Sequence, residues 1–254
     1  MSYAVALLYH DVVPSDNTDS SGLVTNGSWR YKISPSDFRQ HLSELDDLPY
    51  NPTLFDSATA QNEVYLCFDD GGASAVRAAG ILEEFGFRGH FFIITDRIGE
   101  NSFVTEDDIK RLSDAGHSVG SHTTSHPDLV PLSADEREKE FRNSKNRIED
   151  LIGECSSISI PMGSYTPQVL DEAEDVYDTV FTSEPTFVKG PEKARVGRWN
   201  IWHDTTANEL RQIVTANWRY RFQIQARWFS LKAIKRVIGR DRFVTIRDTV
   251  STLF

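Results

Sequence analysis

The sequence predicts an α/β chain folded as a parallel (β/α) barrel, and three observations lead there. Short apolar runs alternate with helical patterns along most of the chain, which favours a parallel sheet over hairpins. Two polar segments rich in Asp and His, Cys67-Phe68-Asp69-Asp70-Gly71 and Gly120-Ser121-His122-Thr123-Thr124-Ser125-His126-Pro127, each follow such a run. The runs are Val64-Tyr65-Leu66 and His117-Ser118-Val119, so both segments fall at the carboxyl ends of strands, where barrels assemble their sites. Finally, 254 residues with 39% hydrophobic and 11% aromatic side chains suit one barrel with a large core.

Each element has its own signal. The apolar start, Met1 to Leu8, runs directly into Tyr9-His10 and reads as a first strand. It lacks a basic leader and a small-residue cleavage site, so it does not read as a signal peptide. A polar loop, 14–34, contains Gly22, Gly27 and Trp29 and is long enough to border a groove. Phe38, Leu42 and Leu45 mark a helix, on which His41 is expected to face solvent. The strand 64–68 delivers two aspartates, and 75–85 is helical with Gly86 as its stop. A strand follows at 90–94, then a helix capped by Thr105, with Ile109 and Leu112 inward and Gly116 at its end. Ser133 and Glu136 make a capping box for a charged helix reaching about Ile152. Strands at 157–160, 176–181 and 196–201 complete the alternation, with a capping box at Thr206 and Glu209 beyond them. His90 and His117 begin strands and read as structural. Cys67 and Cys155 do not make a disulfide framework, and Cys67 is expected to lie buried beside the site. No apolar run approaches the length of a membrane span, and a cytoplasmic protein is expected.

The two polar segments carry chemistry. Asp-Asp-Gly alone is a common turn, and two histidines at i and i+4 occur on many surface helices. Together they offer one aspartate and two histidines, facing one way on a helical turn, to a divalent metal. A second aspartate is left over as a base, which is the minimum equipment for metal-assisted hydrolysis.

At these residues the chain resembles the polysaccharide deacetylases of carbohydrate esterase family 4, the NodB-homology group. Cys67-Phe68-Asp69-Asp70-Gly71 is similar to that family's Thr-Phe-Asp-Asp-Gly motif, with cysteine in the threonine place, and His122 to His126 matches its His-Ser/Thr-x-x-His motif in full. Leu8-Tyr9-His10-Asp11-Val12 and Ile160-Pro161-Met162-Gly163-Ser164-Tyr165 resemble the subgroup acting on exopolysaccharides, and the likeness runs from about residue 5 to about residue 205. The resemblance implies a distorted barrel of seven strands in a single domain, placed at 1–216; the residues beyond it, 217–254, read from their own charge and aromatic content as a basic helical extension. The resemblance also implies a divalent metal, zinc first, with Co, Ni or Mn as alternatives, held by Asp70, His122 and His126. Asp69 is the implied base. The substrate implied is an N-acetylated glycan of exopolysaccharide or cell-surface metabolism, flanked by His10, Pro161, Met162 and Tyr165, with a backbone N–H near Met162 facing the oxyanion.

Two departures stand out. The family often has an arginine two residues before the motif-three proline that orients the catalytic aspartate, and Ser159 stands there. The late Leu-x-His motif is not evident, so the acid that protonates the leaving amine is assigned to His203, with His10 as a second candidate. These gaps leave room for a C–N hydrolase acting on a cyclic amide, or for a glycan-binding protein with a residual site.

Charge divides the chain. Residues 211–254 hold ten Lys or Arg against Asp241 and Asp248, a net of +8, so the preceding residues carry −19 of the total −11. Trp218, Tyr220, Phe222, Trp228 and Phe229 are interleaved with Arg219, Arg221 and Arg227. One reading is a helix packed on the barrel through Ile224, Trp228, Leu231 and Ile238. The other is peripheral contact with an anionic membrane. An acidic body argues against a nucleic-acid partner.

Overall fold

The computed structural model describes residues 3–25, 27–55, 62–188 and 194–238, the side chains of 194 and 231–238 excepted. Seven parallel strands close into a barrel, as the alternation predicts. They are β1 (Val5–Tyr9), β5 (Glu63–Phe68), β6 (His90–Ile93), β7 (Ser118–Ser121), β8 (Ser157–Ser159), β9 (Thr179–Thr182) and β10 (Ala194–Asn200). Their order is β1-β10-β9-β8-β7-β6-β5, and β5 returns to β1 with Val5 opposite Val64 and Tyr9 opposite Phe68. The two-residue strand β4 (Asn51–Pro52) adds to the start of β5, while β2 (Asp11–Val12) and β3 (Lys32–Ile33) pair separately.

Side-chain alternation sorts the strands into two faces. On β1, Val5, Leu7 and Tyr9 face outward into the main core under the helices; on β5, Val64, Leu66 and Phe68 do the same. The alternate residues Ala4, Ala6, Tyr65, Cys67, Phe92, Phe181 and Val196 fill the barrel interior. Small alanines on β1 leave room for the rings of Tyr65, Phe92 and Phe181. Continuing the same parity past the strand ends brings His10, Asp69 and Asn200 to the mouth of the barrel.

Six helices follow the chain between and after the strands: α1 (Pro35–Asp46), α2 (Ala75–Glu84), α3 (Glu106–Asp114), α4 (Ala134–Ile152), α5 (Pro167–Glu174) and α6 (Ala207–Val214). Capping boxes at Thr105, Ser133 and Thr206 start α3, α4 and α6 as their sequences require. Gly116 (φ 83°) and Gly153 (φ 85°) end α3 and α4 in the left-handed region, where a Cβ would be strained. The last helix, α7 (Trp218–Ile238), packs beside α6.

One expectation fails here. His41 is buried, with Nδ1 3.3 Å from the Tyr9 hydroxyl and Nε2 2.8 Å from the Thr205 carbonyl. The loop entering α6 covers the helix face that periodicity alone assigned to solvent. His90 and His117 are buried structural groups, and both cysteines are free and buried, as expected.

Candidate metal and catalytic site

Three segments leave the barrel mouth in the left-handed backbone region. Among the described residues six non-glycine residues have positive φ, and four of them surround the site: Asp70 (72°), Thr123 (66°), His126 (62°) and Met162 (61°). Such conformations cost about 1–3 kcal/mol each and persist where surrounding structure imposes them. His122 and His126 therefore do not share a helical turn. They lie on a loop after β7, and the turn at Thr123 and His126 brings the two rings to 4.9 Å between centroids. Glu140 of α4 braces that loop, accepting from the backbone N–H groups of Thr124 and Ser125, each at 2.9 Å.

The imidazoles converge on Asp70. His122 Nε2 lies 3.4 Å and His126 Nε2 3.6 Å from Asp70 Oδ1. One ligand atom from each of these three residues falls within 4.8 Å of the other two, a spread that one cation can span. His122 Nδ1 is 2.8 Å from the Ser159 carbonyl, which fixes the ring and leaves Nε2 for a metal. Burial pushes His126 down to about 4, so its lone pair is available at neutral pH. Burial opposes charge on Asp70 too, but the hydrogen bond from His122 and the surrounding imidazoles outweigh it and hold the carboxyl well below its usual range. The donor set thus fits a borderline divalent ion.

Asp69 sits beside this cluster in a different setting. Arg198, fully buried on β10, grips it with both ends of the guanidinium: Nη1 donates to Oδ1 at 2.7 Å and Nη2 to Oδ2 at 2.9 Å. Ser159 Oγ donates to Oδ2 at 2.9 Å, Arg198 Nη2 reaches Ser159 Oγ at 2.7 Å, and Arg198 Nε donates to the Thr182 carbonyl at 3.1 Å. Burial raises the Asp69 carboxyl, but Arg198 and then His122 overcome it, so the group is held below its usual range. Oδ2 stays 3.9 Å from His122 Nε2, next to the metal position. Sequence reasoning missed Arg198. Its signal was the inward parity of Val196, Arg198 and Asn200 on an expected strand, since a buried guanidinium requires a carboxylate partner.

Around these groups opens a cavity of about 530 Å³, lined by Asp69, Asp70, His122, His126, Arg198 and, among others, His10, Met162, Tyr31 and Trp202. His10 stacks near Tyr31, with centroids 4.6 Å apart, and its Nδ1 is buried with no hydrogen-bond partner among the described residues. Met162 lies on the wall and is 39% exposed. Three other expected site residues stand off the wall. Pro161 is buried beneath it. Tyr165 donates to Glu184 Oε2 at 2.7 Å and packs against the core. His203 turns its ring edge-on to Trp29 and lies 3.8 Å from Asp204, because its backbone N–H is tied to the Arg30 carbonyl at the base of the 14–34 loop.

A closed parallel barrel with an Asp-His-His cluster and a clamped aspartate at its mouth defines a hydrolase-like scaffold, and known proteins narrow it. Residues 56–179, just under half of the chain and holding both motifs, match the family model for polysaccharide deacetylase. It is 27% identical over 165 residues to the peptidoglycan-N-acetylmuramic acid deacetylase PdaA of Bacillus subtilis, covering 61% of this chain and 60% of that protein. The matched stretch thus spans about three-fifths of the curated relative's length. Among solved structures, a polysaccharide deacetylase from Bacillus cereus superposes with a TM-score of 0.72 at 22% identity, over 84% of this chain and 69% of that one. Deacetylase PplD of Streptococcus pyogenes, solved with acetate, gives 0.71 at 23% identity, over 84% and 98%. These likenesses establish the shared fold.

Proposed function

We propose that this chain is a metal-dependent hydrolase that removes N-acetyl groups from a cell-surface or exported polysaccharide. The observation that carries this reading is the placement, side by side at one barrel mouth, of a three-ligand cluster and an aspartate held ionised by Arg198. Asp70, His122 and His126 would hold a divalent cation, zinc in our reading, and the chemistry it would supply there is Lewis-acid polarisation of the acetyl carbonyl and a lowered pKa for a water.

The chain's own groups supply the rest. Asp69 takes the proton as the water adds to the acetyl carbon; Arg198 and Ser159 keep its oxygens fixed and its charge in place beforehand. A backbone N–H at Met162 stabilises the oxyanion. When the C–N bond breaks, the leaving nitrogen needs a proton, and His10 is the imidazole on the cavity wall that is not a ligand. His203 rests against Trp29 and is not among the residues lining the cavity, so in our reading the acid role goes to His10. Tyr31 and Trp202, with ring centroids 4.9 Å apart, form an apolar wall suited to a sugar face.

A missing arginine and an uncertain acid had left room for cyclic-amide chemistry or a residual site; Arg198, paired with Asp69, supplies the arginine and supports the deacetylase reading. PdaA, by its name, acts on peptidoglycan N-acetylmuramic acid, which supports an acetylated glycan as the substrate class. Incubation of the metal-loaded protein with N-acetylglucosamine oligomers tests the reading: acetate and free amine should appear in equal amounts. Metal uptake without acetate from any acetylated glycan would refute it.

A further inference from the structure

The helix α7 has two apolar faces, and among the described residues only one of them is packed. Inward, Tyr220 and Ile224 pack on the core, the Arg221 guanidinium lies 3.7 Å over the Phe187 ring, and Gln225 Nε2 donates to the Pro185 carbonyl at 2.8 Å. Trp228, on the same side, lines the cavity. Outward, Trp218, Phe222 and Phe229 are 70%, 68% and 55% exposed. At 3.6 residues per turn these three fall within an arc of about 40° and form one ridge, with Ala226 beside it. Exposed Arg219 lies about 60° from the edge of the ridge, and exposed Arg227 lies further round the same side of the helix.

Charge selects the occupant. The 21 residues of α7 contain six Lys or Arg and no Asp or Glu, while residues 1–210 carry −19. An acidic protein partner would suit the cations but leave the aromatic ridge exposed. A second copy of the same face would set cation against cation. An anionic lipid surface satisfies both features: aromatic rings settle at the headgroup level, and the net positive charge of the helix, with Arg219 nearest the ridge, meets the lipid charge. The acidic body is repelled by that surface, which fixes the orientation.

We infer that the outer face of α7 is a docking surface for an anionic lipid bilayer, and that docking sets the cavity beside the membrane. The link to the cavity is Trp228, about 100° round the helix from the ridge. A glycan presented at the bilayer would then reach the site without leaving the surface. The inference stands apart from the deacetylase reading, because it rests on none of the site residues.

Flotation of the full chain with phosphatidylcholine vesicles, with and without phosphatidylglycerol, tests it. Wild type should float with the anionic vesicles, less so as salt rises, and remain behind with the neutral ones. The variant W218S/F222S/F229S should partition about tenfold more weakly or worse, with its melting temperature and its acetate release from soluble oligomers unchanged. Phe222→Ser alone should show a smaller loss in the same direction, which covers the case in which the triple variant does not fold. Failure of wild type to float would overturn the inference, as would equal flotation of wild type and Phe222→Ser. Dimers in sedimentation velocity that dissociate in Phe222→Ser, without vesicle binding, would assign the ridge to a second copy instead.

Discussion

The two halves of the site were built by different kinds of sequence information. The ligand half, Asp70 with His122 and His126, comes from two short motifs that follow β5 and β7. The base half joins Asp69, just past β5, to Ser159, 90 positions away, and to Arg198, 129 positions away. Only barrel closure brings those three together. In the proposed reading the first half would hold a cation by local spacing; the second holds a charge through fold topology. They share an edge at His122, whose Nε2 lies 3.4 Å from Asp70 and 3.9 Å from Asp69.

Substitutions should separate the halves. The largest effect is expected from His122→Ala, which removes a ligand and the shared edge: metal content measured by elemental analysis should fall, and turnover should fall below detection. Arg198→Ala should spare the metal yet lower kcat by about a hundredfold, a loss of the order that general-base catalysis supplies. Leaving buried Asp69 unpaired should also cost about 3–5 kcal/mol of stability in denaturant titrations. The sign of its pH effect follows from the groups involved. Arg198 is the main influence holding Asp69 down against burial, so without it the carboxyl titrates at higher pH, and the acid limb of kcat/KM should move up. A limb that stays put would remove Arg198 from control of the base. Added to Asp69→Asn, Arg198→Ala should cost little further activity, since the pair acts as a unit.

Smaller effects belong to the cavity wall. His10→Ala should reduce kcat by about tenfold to a hundredfold for an amide substrate. It should matter less for an acetyl ester, whose leaving group needs no strong acid. Equal losses on both substrates would take the proton-donor role from His10. Trp202→Ala should raise KM several-fold with kcat nearly unchanged, as expected for a wall that binds ground state and transition state alike. A fall in kcat alone would place Trp202 in the machinery itself.

What was legible in the sequence follows the same division. The strand and helix order, two capping boxes, the Thr105 cap and the candidate ligand set could be read locally, because caps and motifs act over a few residues. Arg198 could not be, since nothing near it announces Asp69; only the inward parity of 196, 198 and 200 on β10 hinted at a buried charge. Ser159 looked like a gap and is instead a small residue that donates to Asp69 while the guanidinium arrives from β10. His203 looked available because it was the late histidine, but its backbone bond to Arg30 holds it against Trp29. The two ligand histidines were expected on a helical turn. Left-handed residues at Thr123 and His126 perform the same convergence in a loop, a choice that spacing cannot reveal. On α7, Ile224 and Trp228 face inward as periodicity suggested, while Leu231 and Ile238 lie beyond the described side chains.

The separation of a metal-holding half from a proton-taking half is tested most directly by Asp69→Asn. Bound zinc would be quantified beside acetate release from N-acetylglucosamine oligomers, for the variant and the wild type in parallel. Full metal occupancy with no acetate is the expected result, because the ligands stay in place and the base is gone. Loss of the metal, or acetate release near the wild-type rate, would contradict it.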